Sequence, residues 1–428
     1  MNLALAPAPS WYEASVRRPL AAPPLFGDIT ADVCVVGAGI AGCSTAMHLA
    51  ERGFRVVLLE AEQAGFGASG RSGGQLLPGY ASSQQKLTTL IGRDDARRLW
   101  DFTLEGVELL RERVRRHSID CDLAWGHMNT AVKARQIAGL REEHREFEDV
   151  YGYRSTRFME RAEVQEMLAT RRYCAGLYDS AAGHCHPLKY TLGIAAATKA
   201  SGVHFYEGSR VTSIERGATV IVRTARGSVR AKHVALCANV GLGDLSPALG
   251  RKAMGVATYI VATRQLGAER ATALIRNNAA VSDVNWVLDY FLRSSDHRLL
   301  FGGRVSYSGI DSVNTANATR LRMLNVFPQL ADAEIEYAWG GFVDISMNRA
   351  PHFGRLDSNL YFLQGFSGHG IVLTGIAGKI LAEAIAGQAE RFDIYTRIRH
   401  HDFPGGMAMR RPALVLAMLW FRMKDLLP

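Results

Sequence analysis

The sequence predicts an α/β fold of two interleaved domains, one on a Rossmann-like parallel sheet and one on a strand-rich sheet. Three observations carry that prediction: the glycine fingerprint Gly37-Ala38-Gly39-Ile40-Ala41-Gly42 after an apolar run, the acid Glu60 closing the next apolar run, and a second glycine-rich turn at Gly365-Phe366-Ser367-Gly368-His369-Gly370. Val33-Cys34-Val35-Val36 delivers the backbone to a tight turn at Gly37. The missing side chain at Gly39 lets the N–H groups of Ile40 and Ala41 approach a pyrophosphate, and Gly42 lets the helix pack on the sheet. The helix start adds free donors and a partial positive charge. Arg55-Val56-Val57-Leu58-Leu59 reads as the second parallel strand, and Glu60, with Ala61 after it, stands where ribose hydroxyls are accepted. Strand, helix, second strand and acid together imply a bound dinucleotide.

Composition bounds the rest. The chain has 428 residues, 48% hydrophobic and 21% charged, enough apolar material for two cores. Its 50 basic and 41 acidic residues give +9, which favours an anionic cofactor, an acidic substrate or an anionic surface. The basic residues are scattered, as in Arg93 to Arg98 and Arg111 to Arg116, without interleaved aromatics, so they read as solvated helix faces and nucleic acid is not an expected partner. Six cysteines, at 34, 43, 121, 174, 185 and 237, form no C-x-x-C pair and suit a reduced, cytoplasmic compartment. Met1 to Pro7 lacks the basic and long apolar regions of a secretory signal. Arg17-Arg18 is followed by Pro19 and Pro23-Pro24, which argues against a twin-arginine signal. Ala413 to Phe421 is a nine-residue apolar run, well short of the ~20 residues that span a bilayer. With Arg410-Arg411 before it and Arg422 and Lys424 after it, it reads as a terminal helix docked on the protein body or, alternatively, as a peripheral contact with the inner face of a membrane.

Along the chain, a β-α-β unit over 31–61 leads to a glycine-rich stretch from Gly65 to Gly79. Asp94 to His117, with apolar Leu99, Phe102, Val107, Leu110 and Val114, and the densely charged Arg135 to Tyr151 predict surface helices. Val203 to Tyr206, Val211 to Ile214, Val220 to Val222 and Val229 to Cys237 predict short strands, the last being a buried parallel strand that returns to the first sheet. Tyr259 to Val261, Trp286 to Leu292 and Leu299 to Phe301 predict a second strand-rich block. Leu360 to Leu363, the second glycine turn and a helix over 371–386 close the pattern, with Gly375 and Gly378 predicting close helix packing. A second helix N-terminus after a glycine loop presents N–H donors to a second electron-rich part of the ligand.

Three stretches, Val33 to Glu60, Gly67-Ala68-Ser69-Gly70-Arg71-Ser72-Gly73-Gly74-Gln75 and Arg349 to Lys379, resemble the FAD-dependent amine and amino-acid oxidase superfamily that includes D-amino-acid oxidase, glycine oxidase and sarcosine oxidase. The likeness extends through Trp11-Tyr12 and Gly183-His184-Cys185-His186-Pro187 to Phe403-Pro404-Gly405-Gly406. It implies a Rossmann-like FAD-binding domain (28–98, 156–245 and 340–428), an interleaved antiparallel-sheet substrate domain (99–155 and 246–339) and an N-terminal extension (1–27), as in the D-amino-acid oxidase and glutathione reductase architectures. It implies oxidation of an amine C–N bond to an imine, the substrate being γ-glutamylputrescine or a related amine, or a cyclic imino acid such as L-pipecolate. A reading of another class is a non-catalytic FAD-binding scaffold.

Residue by residue, the resemblance implies that Gly37, Gly39, Ile40, Ala41 and Gly42 line the pyrophosphate and that Glu60 and Ala61 meet the adenosine ribose. It implies that Ser69, Gly70, Arg71, Gly74, Gln75 and Leu76 run beside the pyrophosphate and beneath the flavin ring. Val211 is then expected to meet the adenine, and Gly368, His369, Gly370 and Ile371 the pyrimidine edge of the flavin. Physical reasoning agrees on the last group, because a reduced flavin carries negative charge there and a helix N-terminus stabilises it. Trp339 to Met347 contains no cysteine where the sarcosine oxidase branch attaches its flavin, so the FAD is expected to be non-covalent. Leu300 and Val372 stand where that branch has lysines near the ring, one linked to oxygen activation, which leaves oxygen or a quinone open as the acceptor. Arg304 aligns with a substrate-facing position and could grip a carboxylate, with Tyr259 and Tyr290 as further pocket candidates. His184 and His186 lack matching ligands, so no metal is expected.

Overall fold

The computed structural model describes residues 9–306, 314–404 and 423. Two sheets organise them. In the first, strand Gly27–Val36 pairs in parallel with Val56–Leu59 on one side and Gly227–Leu236 on the other, and Gly227–Leu236 pairs in parallel with Leu360–Gln364. Val33, Val35, Val56 and Leu58 face one packed layer while Cys34, Val36, Val57 and Leu59 face another, which explains the unbroken apolar runs. The chain leaves Gly27–Val36 toward one neighbour and returns much later on the other. A crevice therefore opens beyond the carboxyl end of that strand, where open α/β sheets bind ligands. A ribbon of Val211–Glu215 and Val220–Thr224 extends the sheet from Gly227–Leu236.

The second sheet has nine strands running from Ile335–Ser346 through Ala253–Thr263, Leu299–Ser306, Tyr290–Arg293, Ala280–Asp283, Ala124–Ala131 and Ala175–His184 to Gln75–Leu76, with Thr156–Glu160 on the side. It departs from the antiparallel expectation at one ladder, where Ala280–Asp283 pairs in parallel with Ala124–Ala131. That ladder joins two distant parts of the chain. The strand expected over 286–292 begins only at Tyr290. Ahead of it, the Asp283 carboxylate accepts the Asn285 N–H at 3.1 Å and holds a turn, the usual use of an aspartate at such a position.

Helix Ile40–Ala50 is crossed by Gly370–Ile385, and small residues set the approach: Ser44 Oγ donates to Gly375 O at 2.6 Å, and a Cβ on Gly378 would lie 2.6 Å from Ala41 O. Arg93–Arg116 lies on Gly370–Ile385, where a Cβ on Gly106 would meet Val372 Cγ1 at 2.9 Å. The N-terminal segment is built into the core, since Trp11 and Tyr12 are buried and their rings meet His186, with Tyr12 also edge-on to Trp339. Among the described residues no single helix is long and apolar enough to cross a membrane. The apolar run at 413–421 lies outside the described residues.

Candidate cofactor and substrate site

The glycine turn is built for close approach. Gly37 has φ +103°, and a Cβ there would lie 2.8 Å from Cys237 O; one on Gly42 would lie 1.8 Å from Gly37 O. Gly39 caps helix Ile40–Ala50 without a side-chain bond, and the Ile40 N–H donates to Ser69 Oγ at 3.1 Å. The Glu60 carboxylate accepts from the Ala38 N–H at 2.7 Å and the Glu62 N–H at 2.9 Å, which fixes it beside the turn with Ala61 between. Burial pushes the Glu60 carboxyl up, against those backbone donors and with the Glu207 charge adding to the rise. The Ser209 N–H donates to Glu60 O at 2.7 Å, so the chain entering Val211–Glu215 starts at the same rim and brings Val211 near it.

The second stretch crosses from one sheet to the other. Gly70 and Gly74 admit no side chain, since a Cβ would lie 2.1 Å from Gly65 O and 2.2 Å from Cys185 O respectively. Ser69 O accepts from Thr191 Oγ1 at 2.9 Å, and Arg71 is held on both ends, its Nε donating to Gly340 O at 2.7 Å and its carbonyl accepting Trp339 Nε1 at 3.1 Å. The Tyr290 ring lies over Gly73, 2.6 Å from where a Cβ would stand. Gln75 donates to Val281 O at 3.3 Å and accepts from Ser282 Oγ at 3.1 Å, and Ser282 Oγ lies 3.2 Å from His127 Nε2. Leu76 is fully buried behind it.

The third stretch is a turn of left-handed residues, Gly365 at φ +78°, Ser367 at +51° and Gly368 at +98°. Asp344 holds it. Its buried carboxylate accepts the Gly365 N–H and its carbonyl accepts the Ser367 N–H at 2.9 Å, while burial pushes the carboxyl up to about 7. His369 then caps helix Gly370–Ile385 without a side-chain bond, leaving the first N–H groups, those of Gly370 and Ile371 included, to an outside acceptor. Burial and the Arg349 charge lower the His369 imidazole to about 4, so it is neutral near pH 7.

These three stretches fit a flavin dinucleotide on two counts. The cradle at 37–42 is one that a Cβ would fill, and Ser72 Oγ and Asn239 Oδ1 are buried polar atoms with no hydrogen-bond partner among the described residues. Tyr259 is 5% exposed on Ala253–Thr263, its ring against Gly340. Arg304 is its register partner on the neighbouring strand, and the Arg304 side chain lies outside what is described. His184 Nε2 meets Asn278 O at 2.8 Å, whereas His186 meets Ser15 Oγ at 3.0 Å and accepts the Lys189 N–H at 3.1 Å. No cluster of three metal-binding side chains occurs among the described residues.

Sequence reasoning missed Asp344, His127 and Ser282. It also read 135–151 as a charged surface helix. Helix Ala134–Asp149 indeed buries only Leu140, but Glu142, Glu143 and Glu146 line a half-open cavity of about 290 Å³ with His127, Asp179 and His369, Glu142 at its exposed rim. Charge density alone gives no sign of which way a helix face turns.

A crevice at a strand-order reversal, two helix starts after glycine turns and a side-chain-free cradle are the features of a dinucleotide-binding protein. The chain belongs to the DAO family of FAD dependent oxidoreductases, whose model matches residues 32–384, and FAD is its cofactor. It is 40% identical over 417 residues to the gamma-glutamylputrescine oxidoreductase of Escherichia coli K12, covering 97% of this chain and 98% of that protein. It is 37% identical over 421 residues to a probable oxidoreductase, OrdL, of Haemophilus influenzae, covering 97% of each. The fold is that of glycine oxidase from Geobacillus kaustophilus, with TM-score 0.73 and 20% identity over 87% of this chain and all of that one.

Proposed function

We propose that this oxidoreductase removes two electrons from an amine C–N bond to give an imine, with γ-glutamylputrescine or a close relative as its substrate. The observation that carries the reading is the 40% identity, end to end, to the gamma-glutamylputrescine oxidoreductase. In this reading Gly37, Gly39, Ile40, Ala41 and Gly42 hold the pyrophosphate of a non-covalent FAD and Glu60 its ribose. Ser69 to Leu76 run along it, and Gly368 to Ile371 meet the flavin. The flavin, when bound, supplies the hydride acceptor. The protein orients the amine and excludes water, and the donors at His369 to Ile371 offset the negative charge of the reduced ring.

The test is anaerobic reduction of the holoenzyme. Bleaching of the yellow protein by γ-glutamylputrescine, ahead of putrescine, L-pipecolate, L-proline and sarcosine, is the expected result. Admission of air then separates an oxidase, which recolours promptly and releases peroxide, from a dehydrogenase that needs a quinone. A protein that stays yellow with every amine sinks the reading.

A further inference from the structure

The cavity beside His369 is lined by four acidic side chains. Glu142, Glu143 and Glu146 enter it from helix Ala134–Asp149 and Asp179 from strand Ala175–His184. None of the four forms an ion pair with a lysine or arginine among the described residues. Arg111, whose charge is felt at Asp179, is paired with Glu108 at 2.8 Å and stacked on Trp125. Asp179 is held in place instead by the Tyr153 hydroxyl, 2.8 Å from each carboxylate oxygen, and by the Ala181 N–H at 2.9 Å.

A second observation is independent of the acids. Ser82, Gln84 and Trp100 line the same cavity and are 3%, 8% and 2% exposed, yet Ser82 Oγ, both amide atoms of Gln84 and Trp100 Nε1 have no hydrogen-bond partner among the described residues. Buried donors and acceptors left unpaired cost stability unless a ligand or solvent meets them. The wall between is aromatic, with Trp100 and Phe147 stacked at 5.1 Å, a surface that suits methylene groups and an adjacent cation. At about 290 Å³ the space lies near the lower end of small-molecule pockets, which start at about 300 Å³.

We infer that this cavity is the distal half of the substrate site. It takes a second, cationic alkylammonium group of the amine substrate, with the reacting amine at the His127 and His369 end and the ammonium among Glu143, Glu146 and Asp179. The inference rests on the amine-oxidising reading above and assigns recognition to the ammonium rather than to a carboxylate. Burial and the neighbouring acids push the Glu143 carboxyl up to about 7, and a bound cation relieves that mutual repulsion.

Two analogues of γ-glutamylputrescine separate the possibilities. N-glutarylputrescine keeps the distal carboxylate and lacks the ammonium, while N-(4-aminobutyryl)putrescine keeps the ammonium and lacks the carboxylate. With the holoenzyme, anaerobic flavin reduction is expected to need at least tenfold more of the glutaryl compound than of the aminobutyryl compound for half-maximal rate. In Glu143→Gln and Glu146→Gln, the preference for the aminobutyryl compound should fall toward one. FAD absorbance of the variants reports that they are folded and loaded, and each single variant backs up the other. Equal use of the two analogues, or a preference for the glutaryl one, overturns the cavity assignment while leaving amine oxidation standing. A flavin that none of the three γ-glutamylputrescine-type amines reduces overturns the functional reading and the assignment with it.

Discussion

Gly39 and Gly42 sit three residues apart on one turn and are predicted to fail differently when given a methyl group. A Cβ on Gly42 would collide with a backbone oxygen at 1.8 Å, which cannot move without undoing the turn, so Gly42→Ala should cost about 3 kcal/mol or more and show as lost soluble protein. At Gly39 the backbone has φ −82°, which any residue adopts, and the Cβ meets only the movable Ser69 Oγ at 2.7 Å. Gly39→Ala should therefore fold, and, if the pyrophosphate lies over Gly39 as proposed, its FAD dissociation constant, read by flavin fluorescence, should rise about tenfold, or ~1.4 kcal/mol. Asp344 makes the complementary case. Asp344→Ala strips a buried acceptor from the Gly365 N–H, at about 1–3 kcal/mol, and should loosen FAD by releasing the turn before His369. A variant with unchanged FAD affinity would remove Asp344 from the site.

At the scale of elements, helices Ile40–Ala50 and Gly370–Ile385 cross, each following a glycine turn whose N-cap residue makes no side-chain bond. Both helices were legible from their glycine turns, and so was the need for close packing at Gly375 and Gly378. The partner helix was not, because a stripe of small residues does not say what it touches. The two glycines now separate. Gly378→Ala drives a methyl to 2.6 Å from Ala41 O and Ser44 Cβ and should lower the thermal midpoint, the strain of about 1–3 kcal/mol exceeding the gain in helix propensity of about 1 kcal/mol. Gly375→Ala meets only the end of the Arg113 side chain, at 3.2 Å, and should be the milder of the pair. Equal midpoints would mean that the crossing does not depend on the Ala41 contact. Helix Ala134–Asp149 teaches the converse lesson: its position was readable from its charge pattern, whereas the cavity its acids face is made by the 77–85 segment and strand Ala175–His184, both remote in sequence.

For the whole molecule, strands Gly27–Val36, Val56–Leu59 and Leu360–Gln364 of the parallel sheet were readable because each ends at a glycine or an acid with a stated job, while the second sheet carries no such local mark and rests on pairings such as Ala124–Ala131 with Ala280–Asp283. The same long-range burial sets the response to pH, through groups no local pattern marks. His352 is driven down to about 3 by burial, with His400 and Lys252 adding to the fall, and His400 itself goes to about 4. Their rings stand 4.2 Å apart, His352 Nδ1 faces Gln364 Nε2 at 2.8 Å, and His400 Nε2 meets Pro351 O at 3.2 Å, so the pair fastens the chain near residue 400 to strand His352–Asp357 while uncharged. The unfolded imidazoles take up protons near their ordinary 6.5 and the folded ones do not, so this stability is complete above 6.5 and is lost as pH falls toward 4. Asp283, Asp344 and Glu143, each raised to about 7, act in the opposite sense: stability from their neutral forms is complete below the ordinary carboxylate range and is lost as pH rises toward 7. Because the two sets oppose each other, total stability against pH is a poor test and a difference is a good one. His352→Gln should be less stable than the parent at pH 7, since it loses ring packing, and its deficit should shrink as pH falls from 6.5 to 4.5, by up to about 1.4 kcal/mol per pH unit. Chemical unfolding of both proteins at pH 7, 6 and 5 measures it. A deficit that stays constant or widens toward acid would mean that the folded protein accepts a proton at His352 as readily as the unfolded chain does.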